Sequence, residues 1–317
     1  MSYEAAARAV EEARHITIVG HLNPDADTLG TGLGLWWLLK GLGKRADAVY
    51  VSEPLPQTLS FLPGFGKIKT KLHPGSDLVV AVDCGSFDRL GIGRPAEAKV
   101  LNIDHHRSNT AYGEINLVEP DAPCAAAVAF ELARRAGWDI PRNTAENFYA
   151  ALVSDTGFFG YEGVDERVFD FAKTLVRLGA KPEWTARMLR ERQPLCKLRL
   201  LPKVLETLTL YLSGRAAGLE VTEAMLEAAG ATVNETEDFV NYARSLATVE
   251  VGFLTREEPD GSLKFSLRSK ERVDVSRIAV AFGGGGHARA AGFSVRGVAR
   301  DAVVAEVLKM IEEELKS

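Results

Sequence analysis

Four short apolar runs in the first third of the chain break off into polar residues: HITIVGH (15–21), DAVYVS (47–52), DLVVAVDCG (77–85) and KVLNIDHH (99–106). Their apolar character is continuous rather than alternating, which is the pattern of strands buried on both faces of a parallel sheet. TLGTGLGLWWLLKGLG (28–43), CAAAVAFELARRAG (124–137) and NTAENFYAALVS (143–154) follow helical spacing instead, as does the N-terminal MSYEAAARAVEEARH. Strands alternating with helices predict an α/β domain.

Past about residue 182 the pattern changes. PEWTARMLRERQPLCKLRLLPKVLETLTLYL (182–212) is helical in rhythm but carries Pro194 and Pro202, which predicts helices joined by a short hinge. A strand (AAGLEV, 216–221) and two helices follow. A hairpin over 249–269 turns at Pro259-Asp260-Gly261, and a helix opened by Asp274 leads to a glycine run and the strand AGFSV. The expected fold class is therefore α/β in two parts. A mostly parallel-sheet domain occupies 1–186, a helical linker 187–204, and a smaller α/β domain 205–317. A chain of 317 residues has room for two such cores.

Composition removes several function classes. No apolar run approaches the roughly 18 to 20 residues of a membrane span, and the N-terminus lacks the apolar core and cleavage site of an export signal. The expectation is no membrane and a cytoplasmic setting. Cys84, Cys124 and Cys196 are odd in number and lack C-x-x-C spacing, against both a disulfide framework and a cysteine zinc site. A net charge of −5 argues against gripping a long nucleic-acid duplex through many phosphates, while leaving room for a ligand with only a few.

The candidate chemistry sits at the strand ends. The first run leads into His21 and Asn23-Pro24-Asp25-Ala26-Asp27, the third ends at Asp83, and the fourth at Asp104-His105-His106. In an open parallel sheet functional groups gather beyond the carboxyl ends of the strands. Taken singly, Asp25 or Asp27 reads as a helix cap, Asp83 as a turn residue and each histidine as a satisfied polar group. Taken together, several carboxylates crowd one sheet edge and repel unless cations neutralise them. Carboxylate with imidazole and no thiolate suits manganese, with magnesium or cobalt as substitutes, rather than structural zinc or an iron–sulfur cluster. The ligands exceed the needs of one ion and fit two, about 3.5 to 4 Å apart, in a hydrolytic arrangement. Asp155, in SDTGFF, is the candidate that closes the second site. Gly30, Gly32 and Gly34 are spaced G-x-G-x-G, not as a dinucleotide fingerprint, and read as close-packing positions.

HLNPDAD (21–27), VDCG (82–85), IDHH (103–106) and SDTG (154–157) together resemble the four ordered motifs of the DHH family of phosphoesterases. The resemblance implies His21 and Asp25 on one metal, Asp27, His105 and Asp155 on a second, and Asp83 bridging both. It also implies that His106 faces substrate, where it stabilises or protonates an oxygen of the reacting phosphate. Asp104 is expected to orient one of the two rings.

A second constellation lies in AFGGGGHARAAGF (281–293). A glycine-rich turn can expose backbone N–H groups as an anion-binding nest, and residues 264–300 carry eight Lys or Arg against two acids in a chain that is acidic overall. Arg268 and Arg289 can fork onto phosphate oxygens. The pattern GGGHARAAG (284–292), preceded by R-S-K at 268–270, resembles the DHHA1 domain. That resemblance implies Arg268, Ser269, Gly285, Gly286 and His287 as substrate-binding residues, with closure about the hinge bringing them over the metals.

Together these readings predict a manganese-dependent phosphodiesterase whose catalytic groups are Asp83 and His106. The compact two-domain chain resembles the nanoRNase and 3′-phosphoadenosine 5′-phosphate phosphatase group of the family. Its expected substrates are RNA or DNA oligonucleotides of two to five nucleotides, cleaved to mononucleotides, and 3′,5′-bisphosphate nucleotides such as pAp. A homodimer is compatible with the sequence. Alternatives are a linear or cyclic dinucleotide phosphodiesterase, and a catalytically silent nucleotide-binding regulator.

Overall fold

The computed structural model describes residues 3–316 apart from 53 and 237. The chain divides into two compact units, 1–192 and 193–317.

In the first unit, α1 (Tyr3–Glu12), β1 (His15–Gly20), α2 (Ala26–Gly41), β2 (Arg45–Val49), β3 (Leu78–Val82), β4 (Lys99–Asp104) and β5 (Ile115–Val118) are followed by four helices. These are α3 (Ala125–Ala136), α4 (Arg142–Asp155), α5 (Glu166–Arg177) and α6 (Pro182–Arg190). The five strands form one sheet in the order β2-β1-β3-β4-β5, parallel at every pairing. Every residue of β3 is buried, and so are five of the six in β1 and in β4, as continuous apolar runs require when helices cover both faces. The close-packing glycines lie on α2, Gly30 and Gly34 on the side that meets α4 and Gly32 on the side that meets the sheet. A Cβ on Gly30 would approach the Asn147 carbonyl oxygen to 2.7 Å, one on Gly32 the Tyr50 hydroxyl to 2.0 Å, and one on Gly34 the Phe148 ring to 2.4 Å. β5 and α5 are elements that the sequence pattern did not disclose.

The second unit runs α7 (Leu195–Leu205), β6 (Thr209–Tyr211), β7 (Ala216–Val221), α8 (Glu223–Ala229), α9 (Val240–Ser245), β8 (Val251–Glu257) and β9 (Ser262–Ser269). It ends with α10 (Val275–Ala281), β10 (Gly285–His287), β11 (Ala290–Arg296) and α11 (Arg300–Lys316). Its sheet has the order β10-β11-β9-β8-β7-β6. Phe253, Phe265, Leu267 and Phe293 pack one face against α10 and α11. The other face is covered by α7, α8 and α9, chiefly over β7 and β8. Within 187–204, Leu200 and Val204 of α7 are buried in this second core, and α6 ends at Arg190. Only residues 191–194 lie outside a helix there, and Pro202 is absorbed into α7. No described helix is long and apolar enough to cross a membrane.

Candidate metal centre

The strand order reverses between β1 and β3, and at such a switch point an open sheet leaves a crevice beyond the strand ends. His21 leaves β1 there, Asp83 leaves β3, and His105 and His106 leave β4. The start of α2 adds Asp25 and Asp27, and the last residue of α4 adds Asp155.

Side-chain donors from these residues fall into three groups: His21, Asp25 and Asp83; Asp27, His105 and Asp155; and Asp83, His105 and His106. Within each, one atom per residue lies within 4.8 Å of the others. Asp83 reaches both sides, with Oδ2 3.6 Å from His21 Nε2 and Oδ1 3.6 Å from His105 Nε2. His105 Nε2 also lies 3.4 Å from Asp155 Oδ2 and 3.7 Å from Asp27 Oδ2.

The rings are aimed from behind. His21 Nδ1 meets the Leu22 carbonyl at 2.7 Å and His105 Nδ1 the Ala122 carbonyl at 3.2 Å, which directs both Nε2 atoms at the carboxylates. His106 is also held through Nδ1, but by a carboxylate: its Nδ1 bonds Asp104 Oδ1 at 2.7 Å and lies 3.6 Å from Asp83 Oδ1. Asp104 is fully buried and also accepts from His105 N at 2.8 Å and from Asn109 Nδ2. Asp25 caps α2 by accepting from Thr28 N at 2.9 Å. Asp27 accepts from Ala125 N at 2.8 Å, so its carboxylate stands at the N-terminus of α3 as well as at the centre. The helix-cap reading and the cluster reading of these two aspartates thus hold together.

Two residues that the sequence did not single out belong here. The Thr28 hydroxyl lies 2.6 Å from both His21 Nε2 and Asp83 Oδ2 and 3.1 Å from Asp25 Oδ1, a bridge among all three members of the first group. Asn109 ties Asp104 to the Cys84 carbonyl at 3.1 Å. Thr28 directly follows HLNPDAD and Asn109 sits three residues past His106, so proximity to the motifs was the available signal.

The electrostatics are those of anions pressed together. Burial pushes the Asp27 carboxyl well above its ordinary range, and Asp83 and Asp155 add to the shift. Desolvation raises Asp155 to about 7, against the opposing pull of His105. Burial would lower His105, but the carboxylates of Asp155, Asp27 and Asp83 carry it up to about 9. Burial would raise Asp83, yet His21, His105 and His106 hold it below the carboxylate range. Carboxylates at this depth are costly to desolvate and repel one another, and divalent cations relieve both penalties. The oxygen and imidazole donors fit such ions.

Backbone strain is concentrated in the same loops. Asp83 has φ +52°, a left-handed conformation that Asp tolerates better than most residues. After α4, Gly157 (φ +55°) closes the helix, with its N–H to the Ser154 carbonyl and the Phe158 N–H to the Val153 carbonyl. Phe158 (φ +57°) and Phe159 (φ +63°) remain left-handed beyond what that cap requires, at about 1 to 2 kcal/mol each. Thr156 secures them: its hydroxyl accepts from Phe159 N, and its carbonyl from Gly160 N and Tyr161 N.

The remaining sequence candidates lie in the second unit. The glycine run does not form a nest. After a turn at Gly283 (φ +77°), residues 285–287 become the edge strand β10. The approach of β11 explains this: a Cβ on Gly286 would lie 2.5 Å from the Ala290 carbonyl oxygen. Arg268 pairs with Ala290, and Ala290 with His287, so Arg268 and His287 flank Ala290 in one row across the sheet. Ser269 points the other way. It is buried with its hydroxyl toward the Ala288 carbonyl, so its side chain is committed to the fold. Arg289 donates to the Val273 carbonyl at 3.0 Å.

Comparison with known proteins places these features among relatives. Residues 15–153 match the family model described as DHH family, N-terminal domain, and residues 216–317 match the DHHA1 domain. The chain is 34% identical over 303 residues to the bifunctional oligoribonuclease and PAP phosphatase NrnA of Thermus thermophilus, covering 95% of this chain and 90% of that one. It is 28% identical to the protein of that name from Bacillus subtilis, over 87% of each. The structure of an exopolyphosphatase-related protein from Bacteroides fragilis superposes with a TM-score of 0.91 at 26% identity, covering 99% of this chain and 97% of that one.

Proposed function

The chain belongs to the DHH family and ends in a DHHA1 domain, and from that premise we propose that it hydrolyses phosphodiesters of very short oligonucleotides to mononucleotides. We extend the proposal to removal of the 3′-phosphate from adenosine 3′,5′-bisphosphate, since the Thermus thermophilus relative is named for both activities. The observation that carries it is the donor set at the strand ends, in which Asp83 is shared between two groups of three.

In this reading His21, Asp25 and Asp83 hold one divalent cation and Asp27, His105, Asp155 and Asp83 a second, with manganese the preferred ion. When bound, such cations supply Lewis acidity and a nucleophile at neutral pH. The chain's own residues do the rest. The Leu22 and Ala122 carbonyls fix the tautomers of His21 and His105, so the Nε2 lone pairs face inward. His106 keeps a proton on Nδ1 through Asp104, and its pKa is raised, with burial opposing and the Asp104 and Asp83 carboxylates prevailing. It is thus equipped to stabilise or protonate an oxygen of the reacting phosphate. In the second unit, Arg268 and His287 with the open edge of β10 would bind the nucleotide, a role in which Gly285 and Gly286 offer backbone and Arg289 support. We take the first unit as catalytic and the second, to whose core α7 belongs, as substrate-binding, with the short non-helical segment 191–194 rather than the whole of 187–204 as their joint. The unpaired thiols of Cys84, Cys124 and Cys196 suit a cytoplasmic setting.

The test is a product-resolved assay on labelled RNA of two, three and five nucleotides, beside adenosine 3′,5′-bisphosphate, with and without manganese. Manganese-dependent release of mononucleotide is expected. Binding of these ligands without any release would overturn the proposal in favour of a silent binding protein.

A further inference from the structure

One guanidinium of the first unit is set apart by what lies beneath it. Arg190, the last residue of α6, has its Cζ 3.7 Å from the centroid of the Phe158 ring. Its neighbours are engaged otherwise: Arg187 pairs with Glu183 and Arg192 reaches the Ser60 hydroxyl. Among the described residues no carboxylate forms an ion pair with Arg190, so its N–H groups keep their capacity for an anion while the aromatic face fixes its plane.

The ring that carries it is held by strained backbone. Gly157 alone would complete the end of α4, yet Phe158 and Phe159 continue in the left-handed region, fastened by the Thr156 hydroxyl and carbonyl. Strain of this kind persists only where the surroundings over-determine it, and it gathers at ligand sites. The strained turn starts at once after Asp155, one of the donors of the metal centre. Tyr161 bounds it on another side, its ring so close that a Cβ on Gly157 would meet it at 2.4 Å. Phe158 is the third residue after Asp155, at most about 10 Å away even along an extended chain.

We propose that Arg190, seated on Phe158, binds the phosphate that is not cleaved: the second phosphate of a nucleotide whose first phosphate lies at the metal centre. A guanidinium matches two phosphate oxygens with two parallel N–H bonds, and one already stacked loses less freedom on binding than a mobile side chain. The ligand class is a nucleotide or dinucleotide with a terminal phosphate in addition to the scissile one. This rests on the phosphodiesterase reading above.

The test compares AMP release by the wild-type chain, Arg190→Gln, Arg190→Lys and Phe158→Leu. The substrates are adenosine 3′,5′-bisphosphate, 5′-phosphorylated diadenylate, and diadenylate without a terminal phosphate. Arg190→Gln is expected to raise KM at least about tenfold more for the two doubly phosphorylated substrates than for plain diadenylate, the size of one charge-assisted contact. Arg190→Lys should fall between, because it keeps the charge without the fork, and Phe158→Leu should shift the same ratio in the same direction. Equal changes in KM for all three substrates, with or without a fall in melting temperature, would reduce the pair to a clasp between α4 and α6 and overturn the inference. If the wild-type chain released AMP from none of them, the phosphodiesterase reading itself would fall.

Discussion

Asp104 is the residue through which the site's rate and the fold's stability can be pulled apart. It is fully buried and serves His105 N, His106 Nδ1 and Asn109 Nδ2 at once. Asp104→Asn keeps the volume and turns one acceptor oxygen into a donor. With the amide oxygen left on the histidine side, its NH2 group faces Asn109 Nδ2, donor against donor. Asn109 cannot simply turn over, because its Oδ1 already accepts from Asn102 Nδ2 at 2.9 Å and from Ala111 N at 2.7 Å. A buried donor without an acceptor costs about 1 to 3 kcal/mol, and the His106 bond loses roughly another 1 kcal/mol with its charge assistance. Urea denaturation of the metal-free protein should therefore show a loss of about 2 to 4 kcal/mol. Turnover should fall roughly fivefold to tenfold, as a 1 to 1.4 kcal/mol loss at His106 dictates. Manganese stoichiometry should stay at the wild-type value. Adding Asn109→Asp gives the new NH2 group an acceptor but sets a carboxylate oxygen against the Cys84 carbonyl, so at most about 1 kcal/mol of stability should return, while the rate stays low because the charge no longer sits on His106. Wild-type stability and rate in Asp104→Asn, or loss of bound manganese, would refute the reasoning.

Other substitutions probe other links. His106→Ala should keep the bound manganese but cut turnover about 100-fold or more, as removal of a transition-state group does; a lost metal would make it a ligand instead. Asp83→Ala removes the donor common to both sides, so hydrolysis should disappear and manganese per chain should drop; full activity with full metal content would sink the shared-ligand assignment. In the metal-free chain Asp155 titrates near 7 and His105 near 9, and a cation must displace the protons they carry below those values. Manganese affinity should then climb as pH rises from 6 towards 9 and flatten above, with proton release measurable by calorimetry in buffers of different ionisation heat; a flat affinity over that range would contradict the coupling. Gly32→Ala drives a methyl into the Tyr50 hydroxyl, which donates to the Thr28 carbonyl at 2.8 Å. Overpacking and a broken buried bond should together cost about 2 to 5 kcal/mol in denaturant titration, and a cost below about 0.5 kcal/mol would mean that α2 can shift away.

What the sequence made readable was local. β1, β3 and β4 are near-continuous apolar runs ended by a polar group, so both the element and the group beyond it could be seen in one stretch of residues. The edge strand β2 (Arg45–Val49) instead lies two residues earlier than the apolar run 47–52 and alternates, with Arg45 exposed and Asp47 half-buried. β5 spans only Ile115–Val118, too short for its pattern to stand out. α11 was readable in retrospect, because Val303, Val304, Val307, Ile311 and Leu315 keep one face of a helix. Ser269 shows a period overlooked: Phe265 and Leu267 point to the core on alternate positions of β9, and Ser269 continues them inward, whereas Arg268 between them faces out. The glycine run looked like a turn because composition reports backbone freedom, not the neighbouring strand that uses it. Thr28 and Asp83 are 55 residues apart in sequence, and Phe158 and Arg190 sit on different elements. Contacts of that kind follow only from the packing of α2 on the sheet and of α6 against the end of α4.

The second unit's sheet ends in three-residue strands on both sides, β6 at one margin and β10 at the other. A long bare strand margin is a template on which other chains add strands and from which aggregates grow. A stub of three residues gives an incoming strand too few backbone bonds to register. The second unit can therefore leave Gly285, Gly286 and His287 exposed in a crowded solution without recruiting its neighbours, a colloidal safeguard that follows from strand length alone.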